Sequence, residues 1–354
     1  MKINGKDYRT VWIKDGIVKM INQPLIPHKF EIVDLKNYIE VHDAIKTMIV
    51  RGAPAIGATA AYGVAQAVIN FDGEDISKLK GQIKKASEKI SHARPTAQDL
   101  FHGIKYVKSA VKSANSVEDA RKKAKKAAKN YADESVLACK KIGEFGNNII
   151  KQNDKILTHC NAGALATVDY GTALAPIRIA HYNKKKIFVF ADETRPRSQG
   201  SRITAFELGQ EGIDHAVIAD NAAGYFMQKK EIDMVIVGAD RVAVNGDVAN
   251  KIGTYKLAVA AKENKIPFYV AIPLSTIDPE SINGKQIPIE ERSQEEVLYS
   301  YGWTDSGEFL RVRIAPEKSP SRNPAFDITP KKFVSGYITP EGIVNSEKLK
   351  YLIR

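Results

Sequence analysis

A thiol and a carboxylate, far apart in sequence, each stand just beyond a short apolar run. Lys155-Ile-Leu-Thr-His159 leads into Cys160-Asn161, and Met234-Val-Ile-Val-Gly238 leads into Ala239-Asp240-Arg241. Short runs rich in β-branched residues, separated by helical stretches, read as buried parallel strands. In open α/β sheets the ligand sits outside the carboxyl ends of the strands. Cys160 and Asp240 can therefore share one pocket and do acid–base work there. Cys160 taken alone reads equally well as a small buried hydrophobe, and a helix start just after it would favour the thiolate. His159 faces the other way if the strand continues, so no Cys–His dyad is expected. Cys139 falls in a helical apolar pattern and reads as core.

Polar groups that could hold a substrate lie in four other places. The loop from Asp240 to Thr254 is the densest in functional groups, and Asn250-Lys251 reads as opening the next helix, where a phosphate or hydroxyl could be held. Arg51-Gly52-Ala53-Pro54 joins two helical stretches. Gly52 permits unusual backbone angles and Pro54 suits a first helical turn. With Arg51 they make either an oxyanion or phosphate site or a plain helix corner. Arg94, just before Pro95 and a helix start, reads locally as an incidental arginine. Asp192-Glu-Thr-Arg195-Pro-Arg197-Ser-Gln199 follows the second strand, where its groups suit sugar hydroxyls or internal salt bridges.

The elements that must position these residues fall into two parts. Residues 1–150 read as a mostly helical domain. It begins with a β-hairpin, Thr10–Lys14 and Ile17–Ile21, turned by Asp15-Gly16. Helices are expected over 41–50, after Arg51-Gly-Ala-Pro54, over 79–90 and from 98 to about 150. Residues 151–354 read as a Rossmann-like, doubly wound, mostly parallel sheet. Its strands are expected at 156–159, 187–191, 215–219, 234–237, 267–272 and 333–338. The fold class is thus α/β. No Gly-x-Gly-x-x-Gly follows the first strand, so nicotinamide binding loses its main sequence support, and no cofactor is expected.

At 354 residues the chain has room for a substantial core, and 27% charged residues is ordinary for a globular protein. It has no apolar stretch long enough to span a membrane, and the N-terminus lacks the apolar core of a signal peptide. Two cysteines cannot build a disulfide framework or a zinc cluster, and they suit a reducing cytoplasm. The net charge of +12 includes the run Arg121–Lys129, which has helical spacing and no interleaved aromatics. It reads as a solvated helix face rather than a nucleic-acid surface, and a positive field would also steer an anionic small molecule.

Together these blocks resemble the methylthioribose-1-phosphate isomerases, in the superfamily that also holds initiation factor 2B subunits. The likeness runs over nearly the whole chain. It rests on Arg51-Gly-Ala-Pro-Ala-Ile-Gly57, Arg94-Pro-Thr-Ala97, Thr158-His-Cys-Asn-Ala-Gly-Ala-Leu-Ala-Thr167 and Asp192-Glu-Thr-Arg-Pro196. It continues in Gly238-Ala-Asp-Arg241, Asn245 to Tyr255, Pro267-Phe-Tyr-Val270 and Asn323-Pro-Ala-Phe-Asp327. The resemblance implies a metal-free homodimer that isomerises an aldose 1-phosphate to a ketose 1-phosphate in methionine salvage. Cys160 and Asp240 would be catalytic, and Arg51, Gly52, Ala53, Arg94, Gln199, Asn250 and Lys251 would bind the sugar phosphate. On that reading Asp240 protonates the ring oxygen from an apolar pocket while Cys160 removes the C2 proton, with a hydride shift as the competing scheme. The family usually continues its Arg-Pro-Thr-Ala block with Val-Asn-Leu, where this chain has Gln98-Asp99-Leu100. It often places two apolar residues before the Gln199 position, where this chain has Arg197-Ser198. Both changes bear on the C5 substituent. They keep 5-deoxyribose 1-phosphate and ribose 1,5-bisphosphate open as substrates, the latter with Arg197 on its second phosphate. A non-catalytic regulatory subunit is the alternative of another class.

Overall fold

The computed structural model describes residues 1–95 and 97–353, so Thr96 of the Arg-Pro-Thr-Ala block lies outside the described residues. After a short ladder, β1 (Lys2–Ile3) and β2 (Lys6–Asp7), the expected hairpin forms from β3 (Val11–Lys14) and β4 (Ile17–Ile21). Asp15 and Gly16 take φ of 51° and 73°, the positive angles a two-residue hairpin turn needs. β5 (Ile32–Leu35) pairs with β4 to complete a three-stranded sheet.

Five helices follow: α1 (Tyr38–Lys46), α2 (Ala53–Ile69), α3 (Ile76–Ser91), α4 (Gln98–Val111) and α5 (Val117–Asn147). α1 starts earlier than its apolar pattern suggests because the Asn37 carboxamide accepts the Ile39 and Glu40 N–H groups. The helical stretch expected from residue 98 breaks once, and the Ser116 hydroxyl accepts the Asp119 N–H as the second helix begins. On α5 the run from Arg121 buries Ala124, Ala127 and Ala128, while Lys122, Lys125, Lys126 and Lys129 are exposed.

These elements belong to one compact unit, Met1–Glu144, which also takes in Ala162–Ala175; the second unit is Phe145–Asn161 and the chain from Pro176 onward. The sequence reading drew one boundary after residue 150. In the structure the chain divides inside α5 and then leaves the second unit again just after Asn161. Three hydrogen bonds hold the returning segment in the first unit: Thr10 hydroxyl to Ala164 carbonyl (2.6 Å), Gln23 amide to Leu165 carbonyl (2.7 Å) and Thr10 N–H to Val168 carbonyl (2.9 Å). Val168 is fully buried in that unit's core.

The second unit is built on β6 (Lys155–Thr158), β7 (Phe188–Asp192), β8 (His215–Ile218), β9 (Met234–Val237), β10 (Arg241–Ala243), β11 (Val248–Lys251) and β12 (Phe268–Ala271). It continues through β13 (Ile277–Asp278), β14 (Tyr299–Trp303), β15 (Phe309–Arg313), β16 (Phe326–Thr329), β17 (Gly336–Thr339) and β18 (Gly342–Val344). Its helices are α6 (Leu174–Tyr182, entered from the first unit), α7 (Ala205–Gln210), α8 (Ala223–Gln228), α9 (Thr254–Glu263) and α10 (Glu295–Leu298). The main sheet has seven strands in the order β8-β7-β6-β9-β12-β17-β18, parallel except for β18. Numbered along the chain, its six parallel strands run 3-2-1-4-5-6, the Rossmann order. The central runs are buried on both faces, as parallel strands covered by helices must be: all four residues of β9 are buried, while β8 at the sheet edge leaves Val217 exposed.

The last parallel strand is shorter than expected, since Lys331–Phe333 forms a 3-10 turn before β17. A second sheet, β13-β10-β11-β16, was not anticipated. It grows out of the loop after β9, and β14 with β15 forms a separate ribbon. No helix among the described residues is long and apolar enough to cross a membrane.

Candidate active site

Strand order reverses between β6 and β9. From β6 the order runs outward through β7 and β8, and β9 then returns to the other side of β6. That reversal opens a crevice at the carboxyl ends of the two strands, where α/β sheets bind ligands. Cys160 lies just past β6 and Asp240 just past β9. The residues picked out by type and spacing thus flank the topological switch point.

The backbone around Cys160 is held under tension. Cys160 itself has φ of 62°, and Thr194 and Ser198 in the loop after β7 have φ of 62° and 56°. Non-glycine residues in this region cost on the order of 1–3 kcal/mol each and persist only where surroundings fix them. Here the Cys160 N–H donates to the Thr194 hydroxyl (2.8 Å), and the Cys160 carbonyl accepts from the Thr204 hydroxyl (2.7 Å). Asp220 in turn accepts the Thr194 and Arg195 N–H groups, both at 2.7 Å. No α-helix starts directly after Cys160. Only a three-residue 3-10 turn, Ala164–Ala166, follows, because the chain is crossing into the first unit.

His159 does not face Cys160; its fully buried ring bridges two strand ends. Nδ1 meets Asp192 Oδ2 and Nε2 meets the Ile252 carbonyl, each at 2.9 Å. This links the end of β7 to the end of β11. Burial raises the Asp192 carboxyl above its ordinary range, and the His159 hydrogen bond and charge pull the other way. Donor atoms of His159, Asp192 and Asp220 lie within 4.8 Å of one another. The pairings just given already engage them as hydrogen-bond partners. Gly253 completes the link: with φ of 103°, a Cβ on it would meet the His159 ring at 3.1 Å.

Asn250 and Lys251 do not open a helix. They end β11, a buried strand, and α9 begins only at Thr254. Two N–H groups at its start are engaged, since Asp327 on β16 accepts from Gly253 (2.7 Å) and Tyr255 (3.1 Å). A carboxylate of the chain itself therefore sits where the sequence reading allowed a phosphate. Local sequence reads as strand or helix with equal ease here, and the pairing with β16 decides it. Asn250 donates to the Thr254 hydroxyl at 3.0 Å. Lys251 donates to the Ala325 carbonyl at 2.9 Å and lies 5.0 Å from the centre of the Phe326 ring.

Lys251 ties the catalytic candidates together electrostatically. Burial first, and the Arg292 charge second, push its ammonium down to about 8, while Cys160, Asp240 and Glu296 pull it back up. Asp240 is next to this strand, its N–H donating to the Ala249 carbonyl at 3.0 Å. The Asp240 side chain is exposed, so the apolar enclosure expected for an acid is not present around it.

Gln199 precedes a π-helical turn, Gly200–Thr204, a distortion common at functional sites. Its side chain is buried, and among the described residues its Oε1 has no hydrogen-bond partner. Arg197 pairs with Glu296 (2.8 Å), which also accepts from Asn323 (3.0 Å). Burial works to raise the Glu296 carboxyl, but Arg197 and Asn323 outweigh it and hold the group below its ordinary range. Arg202 is lowered by burial and by the Arg197 charge. Arg202, Arg292 and Glu296 were not picked out from sequence, since no local pattern marks them; Asp327 closes the Asn323-Pro-Ala-Phe-Asp327 block but was given no site role.

In the first unit, Gly52 caps α2 with φ of 92°, and a Cβ there would lie 2.2 Å from the Ala166 carbonyl oxygen. Only glycine fits. α2 starts with no side-chain cap, Ala53 and Pro54 forming its first turn. Arg51 and Arg94 are half-buried in the same unit.

Residues 49–346 match the family model described as the initiation factor 2 subunit family. The chain belongs to that family. A protein of Acetivibrio thermocellus named methylthioribose-1-phosphate isomerase is 53% identical over 93% of this chain and 94% of its own length. The structure of 5-methylthioribose 1-phosphate isomerase from Pyrococcus horikoshii OT3 has a TM-score of 0.90 at 44% identity, covering 98% of this chain and 96% of that one. A structure from A. fulgidus, named translation initiation factor eIF-2B subunit delta, has a TM-score of 0.87 at 42% identity, covering 98% and 100%.

Proposed function

We propose that this member of the initiation factor 2 subunit family is an aldose–ketose isomerase that converts 5-methylthioribose 1-phosphate to 5-methylthioribulose 1-phosphate in methionine salvage. The observation that carries this reading is the placement of Cys160 and Asp240 on either side of the switch-point crevice, with buried Lys251 within electrostatic reach of both. The names of the Acetivibrio and Pyrococcus proteins support the substrate.

A 1-phosphate blocks the simple ring opening that frees an aldehyde, so the ring oxygen must be helped to leave. In the proposed scheme Asp240 gives a proton to the ring oxygen as the C1–O bond breaks, and the Cys160 thiolate takes the C2 proton. The resulting enol is reprotonated at C1 by Cys160, and its C2 hydroxyl proton returns to Asp240, leaving the ketone at C2. Because Asp240 is exposed, the bound sugar itself must shield the carboxyl that acts as acid. Gln199, with its unpaired buried Oε1, and Asn250 suit sugar hydroxyls. Arg51, Gly52, Ala53 and Arg94 complete the proposed binding set. Arg197, already bonded to Glu296, is less suited to a second phosphate, which argues against ribose 1,5-bisphosphate. A homodimer acting in the cytoplasm, without metal or organic cofactor, is part of the proposal.

The name of the A. fulgidus structure favours a second reading, a regulatory subunit that binds a protein partner. Side-by-side kcat/KM on methylthioribose 1-phosphate, 5-deoxyribose 1-phosphate and ribose 1,5-bisphosphate separates the readings. Preference for the methylthio sugar supports the proposal, and comparable rates on the first two would point to a broader salvage enzyme. Absence of turnover on all three would favour the regulatory subunit.

A further inference from the structure

Lys251 has a buried cationic neighbour that the proposed site does not yet use. The Arg292 side chain is only 7% exposed, and its Nε has no hydrogen-bond partner. Among the described residues its side chain makes one hydrogen bond, Nη2 to Glu290 Oε2 at 3.3 Å, long for a charge-assisted pair. Its guanidinium carbon lies 5.4 Å from the centre of the Phe326 ring, the same ring that Lys251 approaches at 5.0 Å. Phe326 and Lys251 are directly paired across β11 and β16, and the Arg292 N–H donates to the Asn323 carbonyl just before β16. Two buried cations thus approach one aromatic ring.

Such a pair is costly without an anion between or beside it. The nearby carboxylate, Glu296, is already bonded to Arg197 and Asn323. We propose that Arg292 binds the phosphate of the substrate together with Lys251, its planar fork taking two phosphate oxygens while Lys251 supplies a point charge. The inference rests on the sugar 1-phosphate reading. In that substrate the phosphate hangs from C1, one of the two carbons at which hydrogen moves, so phosphate ligands must border the catalytic pair. Lys251 interacts with both Cys160 and Asp240, and Arg292 with Lys251, which is the order this chemistry requires.

The test uses the full-length protein with inorganic phosphate, titrated by calorimetry, alongside turnover of methylthioribose 1-phosphate. Arg292→Met is expected to weaken phosphate binding by about 10- to 100-fold, the worth of a hydrogen bond to a charged group. KM should rise by a similar factor. Arg292→Lys restores part of the loss. Glu290→Gln, which removes only the structural partner, leaves phosphate affinity undiminished. Wild-type binding should fall above about pH 8 as Lys251 loses its proton. In Arg292→Met, with the repelling charge gone, that fall moves to higher pH.

Wild-type phosphate affinity in Arg292→Met overturns the proposal, as does a Glu290→Gln variant that reproduces the loss. Should Arg292→Met fail to fold, Arg292→Lys carries the test: loss of the fork must still weaken phosphate several-fold, and undiminished affinity rejects it. Arg292-dependent phosphate binding without turnover of any sugar 1-phosphate would sustain Arg292 as an anion ligand and remove the isomerase reading instead.

Discussion

Lys251→Met separates what the buried ammonium does for function from what it costs the fold. In the folded protein the group loses its proton at about 8, against 10.5 for an ordinary lysine. Between those values the unfolded chain holds a proton that the folded chain has released, so stability rises with pH across that window. Below pH 8 both states carry the proton and the whole penalty is present. At ~1.36 kcal/mol per pH unit, the step from 10.5 to about 8 amounts to roughly 3 kcal/mol.

Methionine has a similar stem and no charge, so it removes this penalty at every pH. It also leaves the Ala325 carbonyl without its 2.9 Å donor, which costs ~1–3 kcal/mol. The two terms nearly cancel at pH 7, and a single-pH comparison decides little. The pH dependence does decide, because groups remote from Lys251 titrate alike in both proteins and cancel in the comparison. Urea unfolding at pH 7, 8, 9 and 10 should show the wild type gaining about 2–3 kcal/mol relative to Lys251→Met between the ends of the series. Parallel curves for the two proteins would refute the buried-cation argument, whatever their absolute stabilities.

Four further outcomes follow from the same geometry. Gly52→Ala must place a Cβ against the Ala166 backbone at positive φ. The conformational cost of ~1–2 kcal/mol and the overpacking cost of ~1–3 kcal/mol should lower Tm by roughly 5–15 °C in thermal denaturation, and an unchanged melt rejects the fit argument. Asp327→Ala removes the acceptor for the Gly253 and Tyr255 N–H groups. It should lose about 0.5–2 kcal/mol in urea unfolding, and no loss would mean the α9 start does not depend on that carboxylate. Cys160→Ser should lower kcat by about 10²–10⁴ with KM little changed, whereas near-full turnover would end the base assignment. In deuterium oxide the proton-transfer scheme puts solvent deuterium at C1 of the product as the Cys160 proton exchanges before its return, readable by NMR; product wholly without it after prolonged reversible turnover would favour a hydride shift.

The residues that do the proposed chemistry were legible because parallel strands advertise themselves. β6 and β9 are continuous apolar runs, and whatever follows such a run in an α/β sheet faces the ligand side. The Asp15-Gly16 hairpin was legible for a similar reason, since only a few residues accept its angles. What stayed hidden depends on contacts distant in sequence. Asn250-Lys251 became strand because β16, some way down the chain, pairs with it residue for residue. The segment after Asn161 crossed into the first unit because Thr10 and Gln23 bind its carbonyls, which no local pattern records. Arg292 is an ordinary charged residue in a charged stretch until the fold buries it beside Phe326. The network through His159 escaped for a simpler reason. Strand alternation correctly turned the ring away from Cys160, and that same logic says nothing of what it then meets.

The most direct test of the account is ketose formation from methylthioribose 1-phosphate by the purified protein and by Asp240→Asn, each checked for an unchanged circular dichroism spectrum. The account predicts turnover by the wild type and a loss of about 10²–10⁴ in kcat for the variant, the range of general acid–base catalysis. A folded variant that keeps wild-type turnover would contradict the role given to Asp240, and a wild type with no turnover would contradict the isomerase itself.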